Sequence, residues 1–267
     1  MLGASDLRGE AEARRHAGIG ASYLTREMLR TEFGIDRAGA ILSHDNLALD
    51  PRKLTSGLFL QALKRKARCY VPAEAIAIED DRSGVTVATG QGPTIRARHL
   101  VLTTGYELLD AVPARGHSII STWAIATPPQ PRKIWPRAAM IWEASDPYLY
   151  IRATADGRVI CGGEDEDFTD EQRRNALTSK KAIVLAKKLG RVFPKLDTTI
   201  EFAWSGSFGS TITGLPIIGS LPGRPRVHAV MGYGGNGIVF SQIASELVST
   251  SIAGKKDTDA ALFAFKA

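Results

Sequence analysis

A glycine-rich turn lies near the end of the chain, in HAVMGYGGNGIVFSQIASEL (residues 228–247), between an apolar run and a helix-like run. Gly232, Gly234 and Gly237 have the spacing G-x-G-x-x-G. Such a turn lets the backbone approach a ligand closely, and the N–H groups and dipole of the following helix favour an anion or a partial negative charge. The same pattern fits a tight structural turn equally well. The pattern alone therefore does not distinguish a ligand-binding turn from a structural one, and the position of the turn in the chain is needed as well.

That position argues against a dinucleotide fingerprint. In a dinucleotide-binding fold, the first strand, turn and helix are followed by a second strand with an acidic residue about 20 positions on. Only a short charged and apolar tail follows the helix here. An NAD-dependent dehydrogenase built on residues 232–237 is therefore disfavoured.

Helix and strand patterns at the two ends of the chain place this turn. Residues 5–33 look helical in two pieces, with Thr25 as an N-cap and Gly34 as a stop. Asp50 and Pro51 begin the clearest helix, and its apolar face should pack on a sheet. Short β-prone segments follow, and Leu100–Leu102 form an apolar run typical of a strand buried on both faces of a parallel sheet. The last unit is predicted as strand 227–231, turn 232–237 and helix 238–252.

The middle of the chain is mostly strand-like from about residue 117. Segments such as HSIISTWAIATP, YLYIRAT and RVICGGE predict a largely antiparallel sheet. One long amphipathic helix interrupts it at residues 170–193, with Ala182, Leu185 and Leu189 on one apolar face.

Composition narrows the class of protein. The 267 residues, 44 % hydrophobic and 23 % charged, are ordinary for a folded protein with one large or two ordinary domains. The net charge of +6 comes from basic residues scattered among acids, which indicates solvated surface and no nucleic-acid binding. We expect a cytoplasmic protein, because no apolar run suits a membrane span or a secretory signal. Two distant cysteines and five scattered histidines predict no metal site.

Four motifs, taken together, resemble one enzyme family. They are VLTTGYE (101–107), LYIRATADGRVICGGEDED (149–167), FAWSGSFGSTITGLPIIG (202–219) and HAVMGYGGNGIVFSQIASEL (228–247). Their order and spacing are similar to those of the FAD-dependent oxidoreductases related to D-amino-acid oxidase, glycine oxidase and sarcosine oxidase. The resemblance covers roughly residues 35–253.

The resemblance implies FAD as cofactor and suggests which residues hold it. Backbone N–H groups of the glycine turn would face the pyrimidine end of the flavin ring. The strand-end turn after residue 102 would pass near the pyrophosphate and ribityl chain, and Ala75 would meet the adenine through its backbone. The implied cofactor-binding residues are Ala75, Thr103, Thr104, Gly105, Gly234, Gly235, Asn236, Gly237 and Ile238.

The implied chemistry is hydride transfer from an amine-bearing carbon to the flavin, with a small amine or amino acid as substrate. Arg152 corresponds approximately to the arginine that binds the substrate carboxylate, a task that suits its bidentate fork. The alternative is an arginine paired with Asp156 or Glu164. Tyr150 is the second candidate catalytic residue. Together with Tyr148 and Trp123, it would line a substrate pocket or, alternatively, belong to the core.

The sequence departs from the family in two places. Residues 1–40 contain no strand–glycine–helix unit for the ADP pyrophosphate, so we expect the chain by itself to bind FAD weakly or not at all. In WSGSFGSTITGLP, Ser207 and Thr213 stand where many amino-acid oxidases have an arginine and an aspartate. An amine or polyamine substrate therefore remains open.

These observations predict an α/β (α+β) fold in which an incomplete FAD-binding doubly wound domain is joined to a largely antiparallel substrate domain with a long helix. Residues 1–49 would be a helical and connecting segment, 50–112 and 206–267 the discontinuous FAD-binding domain, and 113–205 the substrate domain. The function predicted is oxidation of an amine or amino-acid C–N bond. The alternative is a non-catalytic remnant or interaction module that retains the substrate domain. A homo-oligomer, or a complementing N-terminal segment, is left open.

Overall fold

A computed structural model of the chain describes residues 3–44, 46–106 and 109–265. Its strands are β1 (Ala21–Thr25), β2 (Gly39–Ser43), β3 (Ala75–Asp80), β4 (Val85–Thr89), β5 (Ile95–Ala97), β6 (Leu100–Leu102), β7 (His117–Ala126), β8 (Ile141–Trp142), β9 (Leu149–Ala153), β10 (Val159–Glu166), β11 (Phe202–Thr211), β12 (Ile217–Leu221) and β13 (Arg224–Met231). Its helices are α1 (Ala4–His16), α2 (Arg26–Met28), α3 (Pro51–Lys64), α4 (Glu171–Ala176), α5 (Thr178–Val192), α6 (Gly237–Ile252) and α7 (Ala260–Phe263).

Two compact units are formed from discontinuous parts of the chain. The first contains the described residues up to Ala48 together with Ser121–Gly206, and the second contains Leu49–Ile120 and the described residues from Ser207 on. The N-terminal segment thus belongs to the same unit as the central antiparallel sheet. The fold is a mixed α/β fold with antiparallel sheets, as predicted.

The N-terminal segment of the first unit is only partly helical. Thr25 caps α2, because its Oγ1 accepts the N–H of Met28, and the π-helical turn that follows ends at Gly34 in the left-handed region. Both boundary predictions are confirmed. A strand that the sequence did not predict, β1, lies between the two helical pieces and pairs antiparallel with β2.

The central sheet of the first unit has the strand order β11-β7-β10-β9-β8, to which β7 contributes from Ser121 on and β11 up to Gly206. Strand β10 pairs antiparallel with both β7 and β9. The predicted long helix is two helices, α4 and α5, separated by Leu177. Helix α5 lies against this sheet and buries Ala182, Leu185, Leu189 and Val192 in one core with Trp123, Ile125, Ile151 and Cys161.

The second unit contains two three-stranded sheets. Strands β3, β4 and β5 form an antiparallel meander, as predicted. In the other sheet β13 lies between β12, which is antiparallel to it, and β6, which is parallel to it. The parallel pairing of β6 is confirmed, but its burial on both faces is not, because Val101 is 38 % exposed. Strand β12 was not predicted.

Helix α3 begins where the sequence predicted, but its apolar face is not buried as predicted. Asp50 Oδ1 accepts the N–H groups of Arg52 and Lys53, and Pro51 occupies the first helical position. No residue of α3 is buried, and Leu58 is 63 % exposed. The expectation that its apolar face packs on a sheet is therefore wrong for the part of the chain that the structure describes. A cap and an apolar stripe determine where a helix forms, while its burial needs a partner surface that local signals do not specify.

Candidate functional site

The glycine-rich turn follows β13 and leads directly into α6. Gly232 and Gly234 have φ values of +75° and +55°, in the left-handed region where a side chain would be strained. The turn is held in place by its backbone, since the N–H of Gly234 donates to the carbonyl of Gly209 at 2.7 Å. The two glycines are therefore required by the backbone path.

The start of α6 presents unused backbone donors. The first helical hydrogen bond joins the N–H of Phe240 to the carbonyl of Asn236, so the N–H groups of Gly237, Ile238 and Val239 have no acceptor within the helix. The Asn236 side chain does not cap them. Ile238 is 44 % exposed. Donors at a helix N-terminus are suited to a carbonyl oxygen or an anion.

The turn after β6 lies at the same sheet edge. Because β6 is parallel to β13, with Leu102 opposite Ala229, the carboxyl ends of the two strands are adjacent. Thr103, Thr104 and Gly105 follow β6 and are exposed. The structure thus brings together two of the three predicted cofactor segments, at the carboxyl ends of parallel strands where ligands of α/β sheets commonly bind.

Ala75, the third predicted cofactor contact, lies in a different sheet of the same unit. It is the first residue of β3, is exposed, and pairs with Thr89 of β4. Its role as a contact of the cofactor stays a prediction.

His117, which the sequence did not indicate, packs beneath the glycine-rich turn. A methyl group added to Gly209 would lie 2.5 Å from His117 Nε2, and one added to Gly232 would lie 3.2 Å from His117 Cδ2. Burial lowers the pKa of the imidazole. In the described part of the chain Nε2 is buried without a hydrogen-bond partner. A lone histidine with no metal spacing gives no sequence signal for such a position.

The first unit carries the two candidate catalytic residues on one face of β9. Leu149 and Ile151 are buried in the core, so Tyr150 and Arg152, which alternate with them, project from the opposite face. The Tyr150 ring lies across Gly162 of β10, where an added methyl group would be 2.1 Å from its Cζ atom. Gly162 is therefore the residue that makes room for this ring.

Arg152 is partly buried, and its side chain makes no ion pair or hydrogen bond with the described residues. Its two alternative partners are used elsewhere. Asp156 pairs with Arg158 at 3.0 Å, and Glu164 lies 3.7 Å from Lys181 Nζ. The alternative of an ion pair with either acid is therefore not observed.

The aromatic residues divide between the two faces of the sheet. Trp123 is 1 % exposed in the core on the α5 side, which is the second of the two alternatives that the sequence left open for it. Trp142, which the sequence did not indicate, stacks on Tyr148 with ring centroids 5.0 Å apart. Burial, and then a hydrogen bond to Asp165, raise the pKa of Tyr148. The Tyr148 hydroxyl therefore stays protonated and donates to Asp165 Oδ2 at 2.5 Å.

Two other kinds of site are not found within residues 3–44, 46–106 and 109–265. No group of three or more histidine, cysteine or acidic side chains is arranged to hold a metal ion. No helix in these ranges has the length and apolar character needed to cross a membrane.

The sequence and the fold are those of a known family. A family model described as DAO, FAD dependent oxidoreductase, matches residues 3–250. The chain belongs to this family, whose cofactor is FAD. The match extends the resemblance, which began at about residue 35, through the N-terminal segment.

Solved structures share the fold at low sequence identity. Glycine oxidase from Geobacillus kaustophilus superposes with a TM-score of 0.82 at 21 % identity, over 98 % of this chain and 71 % of that one. L-Proline dehydrogenase from P. horikoshii gives 0.81 at 17 %, over 97 % and 72 %. NikD, an amino acid oxidase of nikkomycin biosynthesis, gives 0.79 at 17 %, over 99 % and 73 %. No curated protein matches the sequence.

Proposed function

We propose that the chain oxidises the C–N bond of a small amine or amino acid, with FAD as the hydride acceptor. The observation that carries the proposal is the partly buried Arg152, beside Tyr150 on an aromatic sheet face, whose guanidinium has no ion pair with the described residues. A guanidinium held there without a counter-charge suits a substrate carboxylate, because it binds both oxygens at once. Family membership supports the reaction class.

The residues of the second unit fit a flavin. We propose that the N–H groups of the glycine-rich turn and of the first turn of α6 donate to a carbonyl of the ring, with Thr103, Thr104 and Gly105 along the adjoining chain. Gly234, Gly235 and Asn236 leave the backbone open to a ligand, and no atom lies within 4 Å of a methyl group added at Gly234. When bound, FAD supplies the hydride acceptor. The helix dipole and fixed donors stabilise negative charge at that end of the ring.

In this proposal the residues at the substrate orient it and supply no nucleophile. Arg152 would hold a carboxylate, and Tyr150 would lie beside it as a wall of the binding face. The pKa of Tyr150 is raised, chiefly by burial, so its hydroxyl is neutral and can donate a hydrogen bond at neutral pH. Ala75 remains the proposed contact to the adenine.

The role of Arg152 is tested with two substrate classes. Replacing a charge-assisted bidentate contact should raise KM about 10- to 100-fold in Arg152→Met for substrates with a carboxylate, and less in Arg152→Lys. Simple amines without a carboxylate should be affected less than about threefold. Arg191→Met, which removes an exposed guanidinium of the same unit, is the matched control. Equal losses for both substrate classes would contradict the assignment.

The alternative function is a non-catalytic module that retains the fold. Since weak FAD binding is expected of these residues alone, hydrogen peroxide release on a panel of amines with FAD in excess separates the two and tests catalysis by an oxidase. The expectation that these 267 residues alone bind FAD weakly stays a prediction, as does a cytoplasmic location. Gel filtration with detection of flavin absorbance measures the first, and a stoichiometric flavin peak would refute it.

A further inference from the structure

Strand β10 contains a bulge that decides which of three consecutive carboxylates faces which side of the sheet. Gly163 pairs with Trp123 of β7 and Glu166 pairs with Ser121, so β10 has one extra residue between these pairs. Within the bulge Glu164 has a φ of +61°. The alternation of side chains is therefore interrupted over residues 164–166.

Two of the three carboxylates in this bulge are paired with cations of α5. Lys181 Nζ lies 2.7 Å from Glu166 and 3.7 Å from Glu164, and Lys188 pairs with Glu164 as well. These contacts balance the charge of both glutamates on the helix side of the sheet.

Asp165 has no such partner. Within the described parts of the chain it forms no ion pair, and its one hydrogen bond is accepted from the Tyr148 hydroxyl. Its second oxygen, Oδ1, is buried and unpartnered. A partly buried carboxylate with one of its two oxygens unpartnered favours a positive charge nearby.

Three aromatic rings lie beside this carboxylate. Trp142 is paired with Tyr150 across β8 and β9, stacks on Tyr148, and is 56 % exposed. The rings of Tyr148 and Tyr150 are 6.5 Å apart. Faces of tryptophan and tyrosine attract ammonium groups, most strongly substituted ones that are weakly hydrated, and a nearby carboxylate adds to that attraction. Uncharged ligands would gain the apolar contact alone.

We propose that Trp142, Tyr148, Tyr150 and Asp165 form a binding site for a substituted ammonium group of the substrate. The inference rests on the proposed function and narrows its substrate class. A carbon can give up a hydride only when the nitrogen bonded to it is unprotonated. The ammonium group held here is therefore a second nitrogen of the substrate, distant from the oxidised carbon. The substrate is then a diamine, a polyamine or an amino acid with a cationic side chain.

Calorimetric titration of the full chain with choline chloride tests the site without using flavin or activity. The uncharged analogue 3,3-dimethylbutan-1-ol has the same shape, so it should bind at least about tenfold more weakly. Asp165→Asn should weaken choline binding about tenfold and Trp142→Leu about three- to tenfold. Asp167→Asn, the same substitution at an exposed carboxylate two residues on, should change it less than twofold.

Three results would overturn the site: no choline binding, equal binding of choline and its uncharged analogue, or equal losses in Asp165→Asn and Asp167→Asn. The two proposals fail separately. Choline binding by a chain that releases no peroxide from any amine of the panel, even with FAD in excess, would overturn the proposed function and leave the ammonium site standing. Flavin uptake and peroxide release without choline binding would overturn the ammonium site alone.

Discussion

Helices α5 and α3 are nearly equal in length and differ in what covers them. Helix α5 has 15 residues, and its buried side chains Ala182, Leu185, Leu189 and Val192 are at most 4 % exposed. Helix α3 has 14 residues and none of them is buried. Both were recognisable from an apolar stripe and local start signals. The contrast shows that such a stripe predicts helix formation, while burial depends on a sheet face brought up from elsewhere in the chain.

The largest effect is expected where α5 meets its sheet. Leu185→Ala should lower the free energy of unfolding by about 2–5 kcal/mol, because it leaves a cavity at a position with 0 % exposure. Leu185→Met, which nearly conserves the volume, should cost less than about 1.5 kcal/mol. Urea denaturation followed by circular dichroism measures both. Similar small losses in the two variants would show that α5 is not firmly packed.

The ion pairs of α5 should contribute less to the free energy of unfolding, and their contribution should depend on pH. The hydrogen bond from Lys181 is the main cause of the lowered pKa of Glu166. This pair therefore stabilises the fold fully above the ordinary carboxyl pKa of 4.5, and its contribution is lost as the pH falls through the lowered pKa of the folded state. Lys181→Met should cost about 1–2 kcal/mol at pH 7 and less at pH 3. A loss that is the same at both pH values would refute this origin.

Glycines inside the two helices allow a matched comparison. Gly57 of α3 has no atom within 4 Å of an added methyl group, and at Gly190 of α5 the nearest is Thr198 Cγ2 at 3.6 Å. Alanine should favour either helix by about 0.5–1 kcal/mol. Gly190→Ala should raise unfolding stability by that amount, whereas Gly57→Ala should only slow amide exchange within α3 about two- to fivefold, because an uncovered helix opens locally. A higher unfolding midpoint in Gly57→Ala would mean that α3 unfolds with the rest of its unit.

The smallest effect is expected on the exposed face of α3. Leu58→Ala should change the free energy of unfolding by less than about 0.5 kcal/mol, since Leu58 is 63 % exposed and leaves no cavity. Urea denaturation, as used for Leu185→Ala, allows the losses in unfolding free energy of the two variants to be compared directly. A cost above about 1 kcal/mol would break the contrast, because it would require α3 to be covered in solution.

Local signals predicted much of the fold. Thr25, Gly34 and Asp50 act through hydrogen bonds or backbone conformation within a few residues, so their helix boundaries could be predicted. Strand β1 was missed because five residues between two helical pieces give too short an alternation. Strand β12 was missed because a proline precedes it and a glycine lies within it.

The candidate site likewise has features that local sequence signals predict and features that depend on how strands pair. The common face of Tyr150 and Arg152 follows from the two-residue period of a strand. Alternation along β7 places Trp123 and its neighbours on opposite faces, yet it does not tell which face α5 covers. The sequence therefore left Trp123 open between a pocket and the core, where it lies. The stacking of Trp142 on Tyr148 needs the pairing register of β8 with β9, and the surroundings of Asp165 need the bulge. Neither is a local property of the sequence.

The extra residue in β10 makes chain length itself a determinant of chemistry. Counted by regular alternation from Gly163, which lies opposite Trp123, Asp165 would lie opposite Ser121 on the helix side of the sheet and the two glutamates on the aromatic side. The extra residue places Glu166 opposite Ser121 instead, so the three acids take the reverse surroundings without any change in the number of charges. Ligand preference at such a strand can therefore diverge between related proteins through the presence or absence of a bulge, with every acidic residue retained.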